Sequence, residues 1–214
     1  MSMKSVFIAG LLSFAANSAF AATTEYADFS SWSDDVAGII TTETYNEYDF
    51  TGGGTNNVFY GTSTTLGGIT YTLDNDGQLY GVNKNLDYDA AYHKSNYLEW
   101  QSGIPTNTLT ITLASYTNAV GFNFGQFYGD AETFTVKLGN GDTFTLLGST
   151  TYSFFGAIST AAFKTVSITG LPYPTLDNLS VAPAVAAPVP EPETYGMLLA
   201  GLFLAGLSVR RNRQ

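Results

Sequence analysis

The chain has no cysteine, one histidine and only eight lysines and arginines among its 214 residues. Each scarcity removes a class of function. Without cysteine no disulfide can staple the fold, so stability has to come from a buried core. Thiolate metal centres and cysteine nucleophiles are excluded, and a serine triad or zinc site would have to be built on His93 alone. That residue lies in the polar stretch Ala91-Tyr92-His93-Lys94-Ser95-Asn96, which reads as a loop, and no Gly-x-Ser-x-Gly elbow surrounds any serine. Four of the eight cations, Lys4, Arg210, Arg211 and Arg213, stand at the two ends. The middle keeps Lys84, Lys94, Lys137 and Lys164 against sixteen acids, a net charge of −12. So acidic a body is unsuited to nucleic acid or anionic lipid, which are held by positive charge.

What the chain does have begins with its ends. Lys4, the apolar run from Val6 to Ala16 and Ala19-Phe20-Ala21 compose a secretory signal peptide over residues 1–21, with cleavage after Ala21. At the other end Val189-Pro190-Glu191-Pro192-Glu193-Thr194 is stiff, extended and hydrated, because each proline fixes its own φ and disfavours helix before it. An uncharged apolar run from Tyr195 to Val209 follows, then Arg210, Arg211 and Arg213, which stay on the cytoplasmic side of a membrane. Fifteen apolar residues fall short of the ~20 of a permanent span, so the tail reads as a short transmembrane helix, either an ordinary anchor or a transient one.

The order Val189-Pro190-Glu191-Pro192, apolar helix and arginine cluster resembles the PEP-CTERM sorting signal of Gram-negative bacteria; Glu193 departs from the small residue often found there. The resemblance implies processing by an exosortase, a membrane-embedded cysteine transpeptidase. It also implies transient anchoring in the inner membrane and delivery to the cell surface or the exopolysaccharide matrix.

Between the signals, residues 22–181 read as one all-β domain, followed by an Ala/Pro linker at 182–188 and the sorting segment at 189–214. One short N-terminal helix is expected, with Ser31 as N-cap, Asp34 three residues on, and Trp32, Val36, Ile39 and Ile40 near one face. Strands are expected at 41–50, 69–73, 78–82, 97–100, 109–113, 119–124, 163–168 and 176–181. The clearest hairpin joins Thr133–Leu138 to Thr143–Leu147 through Gly139-Asn140-Gly141-Asp142, where Asn-Gly supplies positive φ. So many short strands with frequent turn signals argue for an antiparallel β-sandwich. The sequence from Val120 through Phe163-Lys164-Thr165-Val166-Ser167-Ile168 to Leu176-Asp177-Asn178-Leu179-Ser180-Val181 is similar to jelly-roll domains of PEP-CTERM proteins. More loosely, it is similar to galactose-binding-like carbohydrate-binding modules, so a jelly-roll-like sandwich is implied. In some such modules the last-strand Asp, here Asp177, helps hold a structural calcium.

Candidate chemistry is sparse. Asp74-Asn75-Asp76-Gly77 and Asp87-Tyr88-Asp89 gather hard oxygen ligands suited to calcium, although the first is equally a turn sequence and neither completes an EF-hand. Asp74, Asp76 and Asp177 are therefore the calcium candidates. Tyr88, Tyr92, Tyr97 and Trp100 sit among polar residues and suit either a sugar-stacking platform or a pleated sheet; Tyr97 and Trp100 are the ligand-binding candidates. A glycosidase needs only two opposed carboxylates, for which Glu99 with Asp130 or Glu132 would serve. The absence of catalytic spacing favours a non-enzymatic surface or matrix protein that binds polysaccharide or other matrix components. The alternative is a secreted carbohydrate-active enzyme.

Overall fold

The computed structural model describes residues 22–52, 56–74, 77–85, 95–101, 107–126, 132–170 and 173–184. Among them the chain forms β1 (Thr23–Tyr26), α1 (Phe29–Asp35), β2 (Thr41–Glu43), β3 (Asn57–Gly61), β4 (Ser63–Leu66), β5 (Ile69–Leu73) and β6 (Gln78–Val82). Next come β7 (Tyr97–Gln101), β8 (Asn107–Gln126), β9 (Glu132–Leu138), β10 (Thr143–Gly148), β11 (Ser153–Gly170) and β12 (Pro174–Pro183). The pairings are antiparallel throughout.

Two long strands make the sandwich. β8 and β11 pair along their length, with register shifts between Ile158 and Phe163 and between Phe163 and Thr165. Bulges bend strands and sharpen twist, and here they divide one sheet into two halves. The first half-sheet runs β4-β5-β8-β11-β9-β10, using the early part of β8 and the late part of β11. The second runs β3-β6-β7-β12-β8-β11-β1, with β2 beside the end of β12. Their inner faces share one core. Phe124 of the second half meets Phe134 of the first at 6.1 Å between ring centroids, and Phe155 meets Phe144 at 5.3 Å. The segments expected at 109–113 and 119–124 are thus one strand, bent where Ala114, Ser115 and Tyr116 turn outward.

The two outer faces differ. On the first half-sheet, parity and register align Thr65, Thr70, Thr112 and Thr165 in one row across four strands, and Ser63, Thr72, Thr110 and Ser167 in the next. Paired hydroxyls bond across the strands, as Thr65 with Thr70 at 3.0 Å and Thr108 with Thr169 at 2.9 Å. Alternation is clean there because one face is wet. On the second half-sheet, α1 covers the part formed by β8, β11 and β1. Its Trp32 is fully buried over Gly121 and Gly156, which face each other across the ladder; a Cβ on Gly156 would lie 2.6 Å from the indole.

Three expectations need correction. The helix is capped by Asp28, whose Oδ1 accepts from Ser31 N at 2.8 Å, so Ser31 lies inside it. It ends at Asp35, with Val36 already extended, and Ile39 and Ile40 fall outside. The stretch 41–50 is strand only to Glu43, because Tyr45 turns at φ 57. Finally Ala182 and Pro183, read as linker, close β12, and Ala182 is buried in the cluster beneath α1.

Candidate functional site

The part of the second half-sheet's outer face that lies away from α1 brings together side chains that are far apart in sequence, exposed at β3 and β6 and buried at β7 and β12. Phe59 pairs with Tyr80, Tyr80 with Glu99, and Glu99 with Thr175, so one row crosses β3, β6, β7 and β12 on a single face. Residues two along in each strand share that face, which adds Gln78, Tyr97, Gln101, Asp177 and, on β8, Asn123. The intervening residues Leu79, Leu98, Trp100 and Leu176 point inward to the core.

The face has an aromatic rim and a carboxylate floor. Phe59 is 58 % exposed and its ring lies 5.3 Å from Tyr80, which is half-buried. The Tyr80 hydroxyl donates to Gln78 Oε1 at 2.7 Å. Burial, then the negative charge of Glu99 and the electrostatic influence of Tyr173, raise its pKa. Tyr173 itself holds a positive φ of 68 just before Pro174. Beneath the rim Glu99 is buried, and Gln101 Nε2 donates to its Oε1 at 2.8 Å. Burial pushes the Glu99 carboxyl up against the smaller, opposite effect of that bond. A carboxylate acceptor, two amides and flat aromatic rings are the groups that recognise a polyhydroxylated ring: hydroxyls bond the polar groups and the C–H faces stack.

Asp177 lies on the same face where β12 bulges, its register stepping from Asn123 to Gly121 while β12 advances from Asp177 to Ser180. Asn178 takes a φ of 52, and its N–H donates to Asp177 Oδ1 at 2.6 Å; Ser95 Oγ donates to Oδ2. Burial raises the Asp177 carboxyl to about 6, with the Ser95 and Asn178 bonds pulling the other way.

The structure places the sequence candidates as follows. Trp100 is buried in the core and Tyr97 is buried on the sheet's other face, so neighbours in one strand cannot form a common exposed platform. Asp74 accepts from Thr108 N at 2.7 Å on the first half-sheet, on the side of the sandwich opposite Asp177. Asp76 lies outside the described residues. Calcium takes six to eight oxygen ligands, whereas both Asp177 oxygens already accept bonds and no group of three metal-binding side chains converges among the described residues. Ala19, Ala21, His93, Asp130, Val189, Pro190, Glu191, Pro192, Arg210, Arg211 and Arg213 are outside the described residues, as are Asp87, Tyr88, Asp89 and Tyr92. No helix among the described residues is long and apolar enough to cross a membrane. Reading along the sequence misses Phe59, Tyr80 and Tyr173; strand parity counted back from Glu99 would have reached Tyr80 only with the register known.

A family model for the PEP-CTERM protein-sorting motif matches residues 188–213. No curated protein matches the chain. Among solved structures the chain is similar to the cleaved adhesin domain of Lys-gingipain, at 16 % identity and a TM-score of 0.43 over 67 % of this chain and 99 % of that one. It is also similar to the family 11 carbohydrate-binding module of a cellulosomal cellulase of Clostridium thermocellum, at 10 % identity and a TM-score of 0.33 over 71 % of this chain and all of the module. A third likeness is to the catalytic domain of a family 87 α-1,3-glucanase, at 12 % identity and a TM-score of 0.35, where 73 % of this chain spans 30 % of the other.

Proposed function

We propose that this chain, which carries the PEP-CTERM sorting motif at residues 188–213, is an exported surface or exopolysaccharide-matrix protein processed by an exosortase. Its signal peptide is removed after Ala21, its tail holds it briefly in the inner membrane, and its β-sandwich binds polysaccharide without cleaving it. The observation that carries the binding assignment is the row Phe59–Tyr80–Glu99–Thr175, an aromatic rim over a buried carboxylate on one sheet face. The acidic body and its lack of arginine between the two signals point to a glycan without carboxylate groups, since a uronate polymer would be repelled.

A glycoside hydrolase on the same sandwich would need a second, freely disposed carboxylate facing Glu99. Asp177 is two residues along the adjacent strand but is engaged by Ser95 and Asn178. Affinity electrophoresis of the full chain in gels cast with neutral exopolysaccharide tests the assignment. Retardation should fall at least tenfold in the double variant Phe59→Ala/Tyr80→Ala, and no reducing ends should be released. Unchanged retardation in that variant would remove this face from consideration, and release of reducing ends, lost in Glu99→Gln, would establish the enzyme instead.

A further inference from the structure

Both ends of the described body leave it at one place. At the bend of β11, Ala22 N–H donates to Thr160 Oγ1 and Ala22 O accepts from Thr160 N. At the bend of β8, Tyr116 O accepts from Ala184 N at 3.2 Å, one residue past the pairing of Pro183 with Thr117. β2 runs antiparallel on the other side of β12, its ladder ending with Thr41 opposite Val181, and Ile39 lies two residues before Thr41. The end of β12 therefore has Tyr116 on one side and the residues that lead into β2, Ile39 among them, on the other. Tyr116 and Ile39 are 62 % and 81 % exposed, and Ile39 is the most exposed large apolar side chain among the described residues. Beside them opens a cleft of about 210 Å³ lined by Thr41, Ile69, Leu113, Val181 and Pro183 among others, with no charged residue in its lining.

We infer that this end of the sandwich rests on the outer leaflet of the membrane while the tail is inserted, with Ile39 and Tyr116 seated at the headgroup boundary. The inference depends on the reading of the tail as a membrane-inserted sorting segment. Ten residues, 185–194, separate the body from the apolar run at Tyr195, and fully extended they span at most about 35 Å. Within that reach the end that bears the tether is the end that meets the bilayer. An aromatic ring with a polar tip and a bare aliphatic side chain are what an interfacial contact uses. An uncharged patch on a body of net charge −12 is also the part least repelled by phospholipid. Two side chains bind lipid weakly alone, but a short tether supplies an effective concentration on the order of mM, so a weak contact suffices. The aromatic rim at Phe59 and Tyr80 then remains clear for matrix glycan before the tail is cut, and cutting the tail frees the whole body.

The absence of cysteine makes the test direct. Single substitutions Ala37→Cys, Ser115→Cys, Gln78→Cys and Thr145→Cys in the full chain each accept a polarity-sensitive dye. The labelled chains are reconstituted in vesicles of phosphatidylethanolamine and phosphatidylglycerol containing a headgroup-level quencher lipid. Labels at positions 37 and 115 should be quenched at least threefold more than those at 78 and 145, and adding Ile39→Ser and Tyr116→Ser should erase the difference. Equal quenching at all four positions on chains that float with the vesicles would overturn the inference alone. Chains that fail to float would overturn it together with the tail reading.

Discussion

Replacing Asp177 by Asn should stabilise the protein at neutral pH and, in acid, leave it between unchanged and about 1 kcal/mol less stable. The folded protein keeps the Asp177 carboxyl protonated up to about 6, against an ordinary value of 3.8, chiefly because burial penalises the charge. That difference corresponds to about 3 kcal/mol of preference for the neutral form. The sign follows from linkage: a raised folded pKa stabilises fully below about pH 4, fades as pH climbs through about 6, and contributes nothing above. Asn carries no charge to desolvate. Its Oδ1 can still accept from Asn178 N, and Ser95 can turn its hydroxyl to accept from Nδ2, so about 1 kcal/mol of hydrogen bonding is at risk. The net expectation near pH 7 is a gain of about 1–3 kcal/mol, or roughly 3–10 °C in melting temperature for a body of this size. Urea melts across pH 4–8, followed by the fluorescence of the buried Trp32 and Trp100, read it directly. If Asp177→Asn is less stable than the parent by the same amount at every pH, the desolvation account is wrong. If calcium raises the parent's midpoint and EDTA lowers it, an ion occupies Asp177 and the donor set is completed by residues beyond those described.

Two packing predictions accompany it. Trp100→Ala should cost about 3–5 kcal/mol, because the indole is buried in the core, whereas Trp100→Phe should retain glycan retardation; loss of retardation in a folded Trp100→Phe protein would return Trp100 to the binding surface. Gly148→Ala should cost about 1–3 kcal/mol, since its Cβ would lie 1.8 Å from the Phe134 ring that also fills the space beside Gly170. Chemical denaturation that shows no loss there would mean the ring can move aside.

How far the sequence carries this structure depends on how many faces of each strand are covered. Where one face is wet, alternation is legible: Thr108-Leu109-Thr110-Ile111-Thr112 and Thr133-Phe134-Thr135-Val136 announce both their strands and their parity, and the structure pairs them in the first half-sheet's Thr/Ser rows. β7 is different, since Tyr97, Leu98, Glu99 and Trp100 are all buried. A strand covered on both faces loses alternation, so composition suggested a cluster where geometry puts adjacent residues on opposite sides. Strand parity alone forbids Tyr97 and Trp100 from sharing a surface, and it equally forbids Glu99 and Trp100. The bend in β8 was illegible for another reason: a bulge changes direction without adding Gly or Pro, and Ala114-Ser115-Tyr116 looks like an ordinary break between two strands. The rim was illegible because register between residues 59, 80, 99 and 175 is a property of the assembled sheet, not of any local stretch. The sequence thus sorts strand residues into two parity classes, and only the fold decides which class looks outward. Once Trp100 is known to face the core, Glu99 must face away from it, and the partners that register places beside Glu99 form the proposed site.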